Sequence, residues 1–118
     1  MSKIDTLLEY YVQHMPKTVY LVKNKQRYPV IEKAVKEIGE MALAVDDGAK
    51  IKIEPDELTG TTLCMYITTN LFVVDMIDKF CELLKEATTF EVCPLTNGML
   101  SVSLTFQDAW VPASPNTQ

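Results

Sequence analysis

The sequence predicts an α+β protein in which helices cover one face of an antiparallel sheet. Three stretches place apolar residues at helical spacing, and four others alternate apolar and polar residues with a period of two. A third observation is their order, because helix, strand and strand follow one another twice. A chain of 118 residues is long enough for one domain with a single core.

The first helix is predicted to begin after Ser2, because Ser2 and Asp5 stand at the spacing of a helix N-terminus. Pro16 ends the helix. The next stretch, TVYLV at 18–22, is β-branched and aromatic, which favours a strand over an extended linker or a helix. The apolar stripe of this first helix consists of Ile4, Leu7, Leu8, Tyr11 and Met15.

Two further helices are predicted. Pro29 suits the first turn of the second helix, and the DDG at 46–48 suits its end. The third begins near Asn70, whose side chain can cap it, and continues to about Ala87. Their apolar stripes are Ile31, Ala34, Val35, Ile38, Met41, Ala42 and Val45 in one helix, and Val73, Ile77, Phe80, Leu84 and Ala87 in the other.

Four strands are predicted where the period changes to two. Successive side chains of a strand point to opposite faces, so each of these strands has one apolar and one more polar face. The alternating apolar positions are Ile51 and Ile53, then Leu63, Met65 and Ile67, then Phe90 and Val92, and last Leu100, Val102, Leu104 and Phe106.

The two strand pairs are joined by similar turns, EPDELTG and CPLTNG, and the preceding helices also match, VIEKAVKEI against MIDKFCELL. Glycine supplies the left-handed conformation that such turns need. The chain is therefore interpreted as tandem αββ units at about 29–68 and 71–107, within one domain at 1–110. Such an order is similar to the ferredoxin-like arrangement with one added strand, or to its circular permutation if 18–22 is not a strand. The Pro-rich stretch 111–118 is predicted to be a disordered tail.

Charge is distributed unevenly along the chain. Residues 1–52 hold nine basic against seven acidic residues, a net +2, and residues 53–118 hold two against nine, a net −7, which together give −5. An acidic protein of this kind is not expected to bind nucleic acid or anionic membranes in general. No apolar run approaches the roughly 20 residues of a membrane span, and no signal peptide is recognised, so a cytoplasmic protein is expected.

No catalytic or cofactor-binding residues are predicted. His14 is the only histidine, and the three cysteines, Cys64, Cys81 and Cys93, lack the spacing of a metal site. Their odd number favours reduced thiols over a disulfide framework. Cys93 is interpreted as a residue at a strand end, because it occupies the position of Glu54 in the first unit. We therefore expect no metal, no cofactor and no enzyme activity.

A segment at 17–36 carries six of the eleven basic residues and could bind single-stranded nucleic acid. It mixes positive charges with aromatic rings, as single-strand binders do. The alternative is a basic loop exposed to solvent. The residues that would contact nucleic acid are Lys17, Tyr20, Lys23, Lys25, Arg27 and Tyr28.

The polar face of the predicted sheet suggests a protein-binding surface. It is rich in hydroxyl groups, poor in charge and partly apolar, so either a partner chain or the N-terminal helix is expected to cover it. Trp110, the only tryptophan, either caps the edge of the core, which we favour, or anchors a partner. The candidate interaction residues are Tyr66, Cys64, Thr68, Met99, Ser101 and Trp110.

These observations predict a non-enzymatic protein-interaction or regulatory domain whose partner is a protein, a second copy of the chain included. A single-strand nucleic-acid binder is the first alternative. The second is an acidic inhibitor from a phage or mobile element, since acidic side chains can mimic nucleic-acid charge.

Overall fold

The computed structural model describes residues 2–15, 21–70, 82, 84–95 and 97–113. These residues form an α+β fold with two α-helices and two antiparallel sheets, which confirms the predicted class. The elements are α1 (Lys3–Gln13), β1 (Leu21–Lys23), α2 (Tyr28–Val45), β2 (Lys50–Pro55), β3 (Leu63–Thr69), a 3₁₀ helix (Leu84–Glu86), β4 (Thr89–Pro94), β5 (Leu100–Phe106) and β6 (Trp110–Pro112).

Both described helices begin where the sequence predicts. The Ser2 hydroxyl caps α1 by accepting the backbone N–H of Asp5 at 3.1 Å. Pro29 lies in the first turn of α2, and Asp46 ends that helix by donating its backbone N–H to the carbonyl of Ala42. In α1 the residues of the predicted stripe are buried except Leu7, which is half-buried.

The main sheet has the strand order β2-β3-β5-β4, and every neighbouring pair is antiparallel. All four predicted strands are present, as are the two hairpins that join β2 to β3 and β4 to β5. The buried face expected for each strand is found in β2, β3 and β5, whereas Phe90 and Val92 of β4 are exposed. Gly60 and Gly98 have φ angles of 75° and 79°, the left-handed conformation expected of the glycines in these turns.

A second, two-stranded sheet was missed by sequence reasoning. The strand expected at 18–22 is found at Leu21–Lys23, but it does not extend the main sheet; it pairs with β6 instead. Val111 and Pro112, assigned to a disordered tail, belong to β6 and correct that assignment. Residues 16–20 and 114–118 are outside the described residues.

The predicted third helix, from Asn70 to about Ala87, falls mainly on residues 71–81 and 83, which are not among those described. Near its expected end the chain forms the 3₁₀ helix Leu84–Glu86. At its expected start, the backbone N–H of Asn70 donates to the Asp46 carboxylate at 2.9 Å. The second half of the tandem-unit interpretation therefore stays a prediction.

The core lies between the helices and the apolar face of the main sheet. Helices α1 and α2 approach closely at Gly39, where an added Cβ would lie 2.5 Å from Cδ1 of Ile4. The largest fully buried side chains are Phe106, Ile4, Ile31, Ile38, Leu63, Met65, Ile67, Leu104, Val35, Val102 and Thr69.

Asp56 holds the turn between β2 and β3. Its carboxylate accepts the backbone N–H groups of Thr59 and Thr62, both at 2.9 Å, and the Thr59 hydroxyl. Burial alone would raise the pKa of Asp56, but these hydrogen bonds outweigh it and hold the pKa below the usual value. The turn is thus stabilised by the ionised carboxylate.

Candidate interaction surface

One face of the main sheet points away from the core. Strand alternation and the register of the three strand pairs place the polar side chains of all four strands on this side. We call this surface the open sheet face. It consists of Lys50, Lys52, Glu54, Cys64, Tyr66, Thr68, Thr89, Glu91, Cys93, Ser101, Ser103 and Thr105.

Tyr66 lies on the central strand β3 of the open sheet face and is 36% exposed. It stands opposite Ser103, and Thr68 stands opposite Ser101, so hydroxyl groups face one another across β3 and β5. Partial burial, with the neighbouring Cys64 thiol, raises the pKa of Tyr66. The ring is therefore neutral at physiological pH and offers both a donor and an acceptor beside its apolar face.

Cys64 was expected to contribute to this exposed surface, and that expectation is wrong. Its side chain is only 6% exposed, and burial raises the pKa of its thiol. Cys64 is close enough to Tyr11 to affect the pKa of that side chain. It lies at the end of β3 where the backbone N–H of Trp110 donates to the carbonyl of Thr61. The end of the sheet is covered there, which removes Cys64 from the available surface.

Trp110 lies in the core rather than on an interaction surface. It is 8% exposed, and its ring makes edge-to-face contacts with Tyr11 at 6.3 Å and Tyr28 at 5.8 Å between centroids. We call these three residues the aromatic cluster. The preferred interpretation of Trp110 as a cap on the core agrees with this position, and a role as a partner's anchor does not.

Met99 and Ser101 lie at the β4–β5 turn end of the open sheet face, and both are half-buried. The backbone N–H of Met99 donates to Asn97 Oδ1 at 3.2 Å, which orders the turn. Of the six candidate interaction residues, the strand register brings Tyr66, Thr68 and Ser101 together on partly exposed surface, and Met99 lies in the turn before β5.

The basic segment considered for nucleic acid is only partly available. Tyr28 is 3% exposed and its ring cannot stack on a base; burial raises its pKa to about 12. Lys23 Nζ lies over that ring, 4.7 Å from its centroid, and Arg27 forms an ion pair with Glu86 at 3.0 Å. Lys25 is exposed, while Lys17 and Tyr20 are not among the described residues.

The histidine and the two described cysteines lie on different elements, His14 at the end of α1, Cys64 on β3 and Cys93 on β4. His14 stacks on Tyr10, with 3.8 Å between ring centroids, and its Nδ1 lies 2.9 Å from the carbonyl oxygen of Tyr10. Cys93 is exposed, and slight desolvation of its thiol and the neighbouring Glu91 raise its pKa. Cys64 and Cys93 are both outside any disulfide, and Cys81 is among the residues not described.

Among the described residues, no group of three or more His, Cys, Asp or Glu side chains could hold a metal ion. No described helix is long and apolar enough to cross a membrane. Comparison with known protein families, with curated proteins and with solved structures found no match to this chain.

Proposed function

We propose that the protein is a non-enzymatic, cytoplasmic interaction domain that binds a protein partner through the open sheet face. One observation carries this proposal. Tyr66, Thr68 and Ser101 form a partly exposed strip of hydroxyl groups and one aromatic ring on two adjacent strands. Tyrosine is enriched in protein interfaces because its ring is apolar and its hydroxyl forms hydrogen bonds.

The state of the cysteines supports the non-enzymatic part of the proposal. A thiolate is the reactive form of cysteine, and the pKa values of both described cysteines are raised. Burial raises the pKa of Cys64, whereas slight desolvation and the neighbouring Glu91 raise the pKa of the exposed Cys93. Both thiols are therefore protonated at neutral pH. Thiols outside a disulfide are also typical of a reducing compartment, in line with a cytoplasmic location.

We infer further that the main sheet is a circular permutation of the ferredoxin-like arrangement. The support is the antiparallel strand order β2-β3-β5-β4, in which two hairpins meet through β3 and β5. The short strand β1 lies in the other sheet and therefore favours the permutation over a main sheet with an added strand. In either arrangement helices cover one face of the sheet, which leaves the other for binding.

The substitution Tyr66→Glu tests the proposed function. At a position that is 36% exposed the new carboxylate can reach water, so the thermal melt should stay close to wild type. A partner seated on the face would bury that charge, at a cost of several kcal/mol. Immobilised wild type should retain a protein from the native cell that Tyr66→Glu does not retain. The purified partner should then bind wild type directly.

Lys33→Glu is the matched control, because Lys33 is exposed on α2 and lies away from the open sheet face. It should retain the same partner as wild type. Equal retention by wild type and Tyr66→Glu would contradict binding through this face. A large fall in the melting temperature of Tyr66→Glu would show instead that the ring supports the fold.

A further inference from the structure

Among the described residues, no strand pairs with the outer edge of β2. In an antiparallel pair, residues that exchange backbone hydrogen bonds alternate with residues whose N–H and C=O point away from the partner strand. The backbone N–H of Asp56 donates to the carbonyl of Thr62, and these two residues lie in register. Bonded positions therefore fall on even residues of β2, and Ile51 and Ile53 direct their backbone groups outward.

Within the described part of the chain, no backbone hydrogen bond connects Ile51 or Ile53 to an element other than β3. Their side chains are buried on the core side, so only the backbone edge is available. Such an edge is a template for another strand. The exposed side chains beside it alternate with the isoleucines and belong to Lys50, Lys52 and Glu54.

The stretch KIKIEPD at 50–56 has positive charges at its N-terminal end and negative charges at its C-terminal end. An antiparallel second copy reverses this order. Suppose that Ile53 of one copy faces Ile53 of the other across a two-fold axis. Lys52 of each copy then faces Glu54 of the other, and Lys50 of each copy faces Asp56 of the other. Opposite charges that face each other across strands stabilise the pair, and like charges destabilise it.

Neighbouring registers do not share this complementarity. In each allowed register, the numbers of two residues that face each other add up to the same even value, because only then do outward backbone groups face each other. The neighbouring registers therefore raise or lower this sum by two. One such shift places Lys52 opposite Lys52, and the shift in the other direction places Glu54 opposite Glu54. The register centred on Ile53 is therefore the one among these three in which no like charges meet. It allows mutual hydrogen bonds between the two Ile53 residues and from each Ile51 N–H to a Pro55 carbonyl.

A groove beside β2 adds apolar surface to the edge. It has a volume of about 320 Å³ and lies between residues 51–55 and the α1 side chains Leu7, Tyr10, Tyr11 and His14. Tyr10 is 60% exposed at this groove. A strand placed beside β2 would cover part of this lining. The other edge strand, β4, carries one charge, Glu91, and so lacks a self-complementary pattern.

We propose that a second copy of this chain pairs with β2 in the antiparallel register centred on Ile53, and that Lys52 and Glu54 select this register. The dimer uses the β2 edge of the sheet, with Lys50, Lys52 and Glu54 at the margin of the open sheet face, and leaves the strip of Tyr66, Thr68 and Ser101 available. The inference therefore does not depend on the function proposed above. Because the charged side chains are exposed, association weakens as salt is raised.

Sedimentation of the full chain over a range of concentrations tests the proposal. Wild type is expected to dimerise. Lys52→Glu replaces two Lys–Glu pairs by two Glu–Glu pairs and should raise the dissociation constant by about tenfold or more, and Glu54→Lys should do the same. The double variant Lys52→Glu/Glu54→Lys restores opposite charges and should return to within about threefold of wild type.

Mixing the two single variants gives a further test, because the glutamates at 52 and 54 of one face the lysines of the other. The equimolar mixture should form a heterodimer more tightly than either variant forms a homodimer. Lys33→Glu makes the same change in net charge away from the edge and should dimerise like wild type. Thermal melts of all variants should coincide, since each altered side chain is exposed.

A wild type that stays monomeric at the highest concentration reached would overturn the proposal. So would a swap variant that folds but does not recover, or a Lys33→Glu variant as weak as Lys52→Glu. Dimerisation that is lost in Tyr66→Glu and unaffected by Lys52→Glu would assign the interface to the open sheet face instead. If wild type does not dimerise but still binds another protein in a way that Tyr66→Glu abolishes, the dimer proposal is wrong and the proposed function stands.

Discussion

Replacing Gly39 by alanine sets helix propensity against packing at the contact between α1 and α2. Alanine is favoured over glycine inside a helix by about 1 kcal/mol. The added Cβ, however, would lie 2.5 Å from Cδ1 and 2.8 Å from Cγ1 of Ile4, a fully buried side chain. Forcing an extra methyl group into a well-packed core costs about 1–3 kcal/mol. We expect Gly39→Ala to destabilise the protein on balance, by up to about 2 kcal/mol.

Urea unfolding followed by tryptophan fluorescence is a suitable assay, because Trp110 is the only tryptophan and is buried. Ala44→Gly, at an exposed position of the same helix, measures the propensity difference without a packing change. Ile4→Val removes the methyl group nearest the added Cβ. The cost of Gly39→Ala should therefore be smaller in the Ile4→Val background than in wild type. A Gly39→Ala variant at least as stable as wild type, or equal costs in both backgrounds, would refute the packing argument.

Two further predictions concern single side chains. Asp56→Asn should cost about 1–2 kcal/mol at pH 7, because hydrogen bonds to a charged acceptor are lost. The folded pKa of Asp56 is depressed, so its contribution is present above the unfolded value of 3.8 and lost as pH falls through the folded pKa. Wild type and Asp56→Asn melts should thus converge in acid; a constant difference down to the lowest pH would contradict this. Cys93→Ser should stay within about 0.5 kcal/mol of wild type in urea, because Cys93 is exposed. It should also retain the wild-type partner, and loss of binding by a folded variant would contradict a purely structural position.

The main sheet was predictable because the required information is local. Alternation with a period of two marks each of β2, β3, β4 and β5 within its own residues. The turns were predictable for the same reason, since glycine at 60 and 98 meets the conformational need of each hairpin. Neither feature depends on which distant segment packs nearby.

The second sheet depends on distant segments and was missed. Strands β1 and β6 have three residues each, too few for a periodic pattern, and about 90 residues separate them along the chain. The turn before β6 adopts a left-handed conformation at Asp108, with a φ of 60°, rather than at a glycine. Aspartate tolerates this conformation, but it is not a specific signal for it.

Burial at the end of the open sheet face was missed for the same reason. Alternation places Cys64 on the polar side of β3, and the structure agrees on the side. What alternation cannot predict is that Trp110 donates its backbone N–H to Thr61 and covers this end. Facing away from the helices is a property of one strand, whereas being exposed depends on every segment that passes nearby.

The edge of β2 shows how the two kinds of information combine. The charges of KIKIEPD are visible in the sequence, but the sequence does not show which residues of this stretch direct their backbone groups outward. The hydrogen bond from Asp56 to Thr62 decides the phase and assigns the outward groups to Ile51 and Ile53. The exposed lysines and Glu54 then lie on one face of the sheet along this edge, and the buried isoleucines lie on the opposite face. Lysines on an edge strand commonly prevent unwanted pairing. In the proposed dimer, the opposite charges of Lys52 and Glu54, two residues apart on the same edge, instead favour one register.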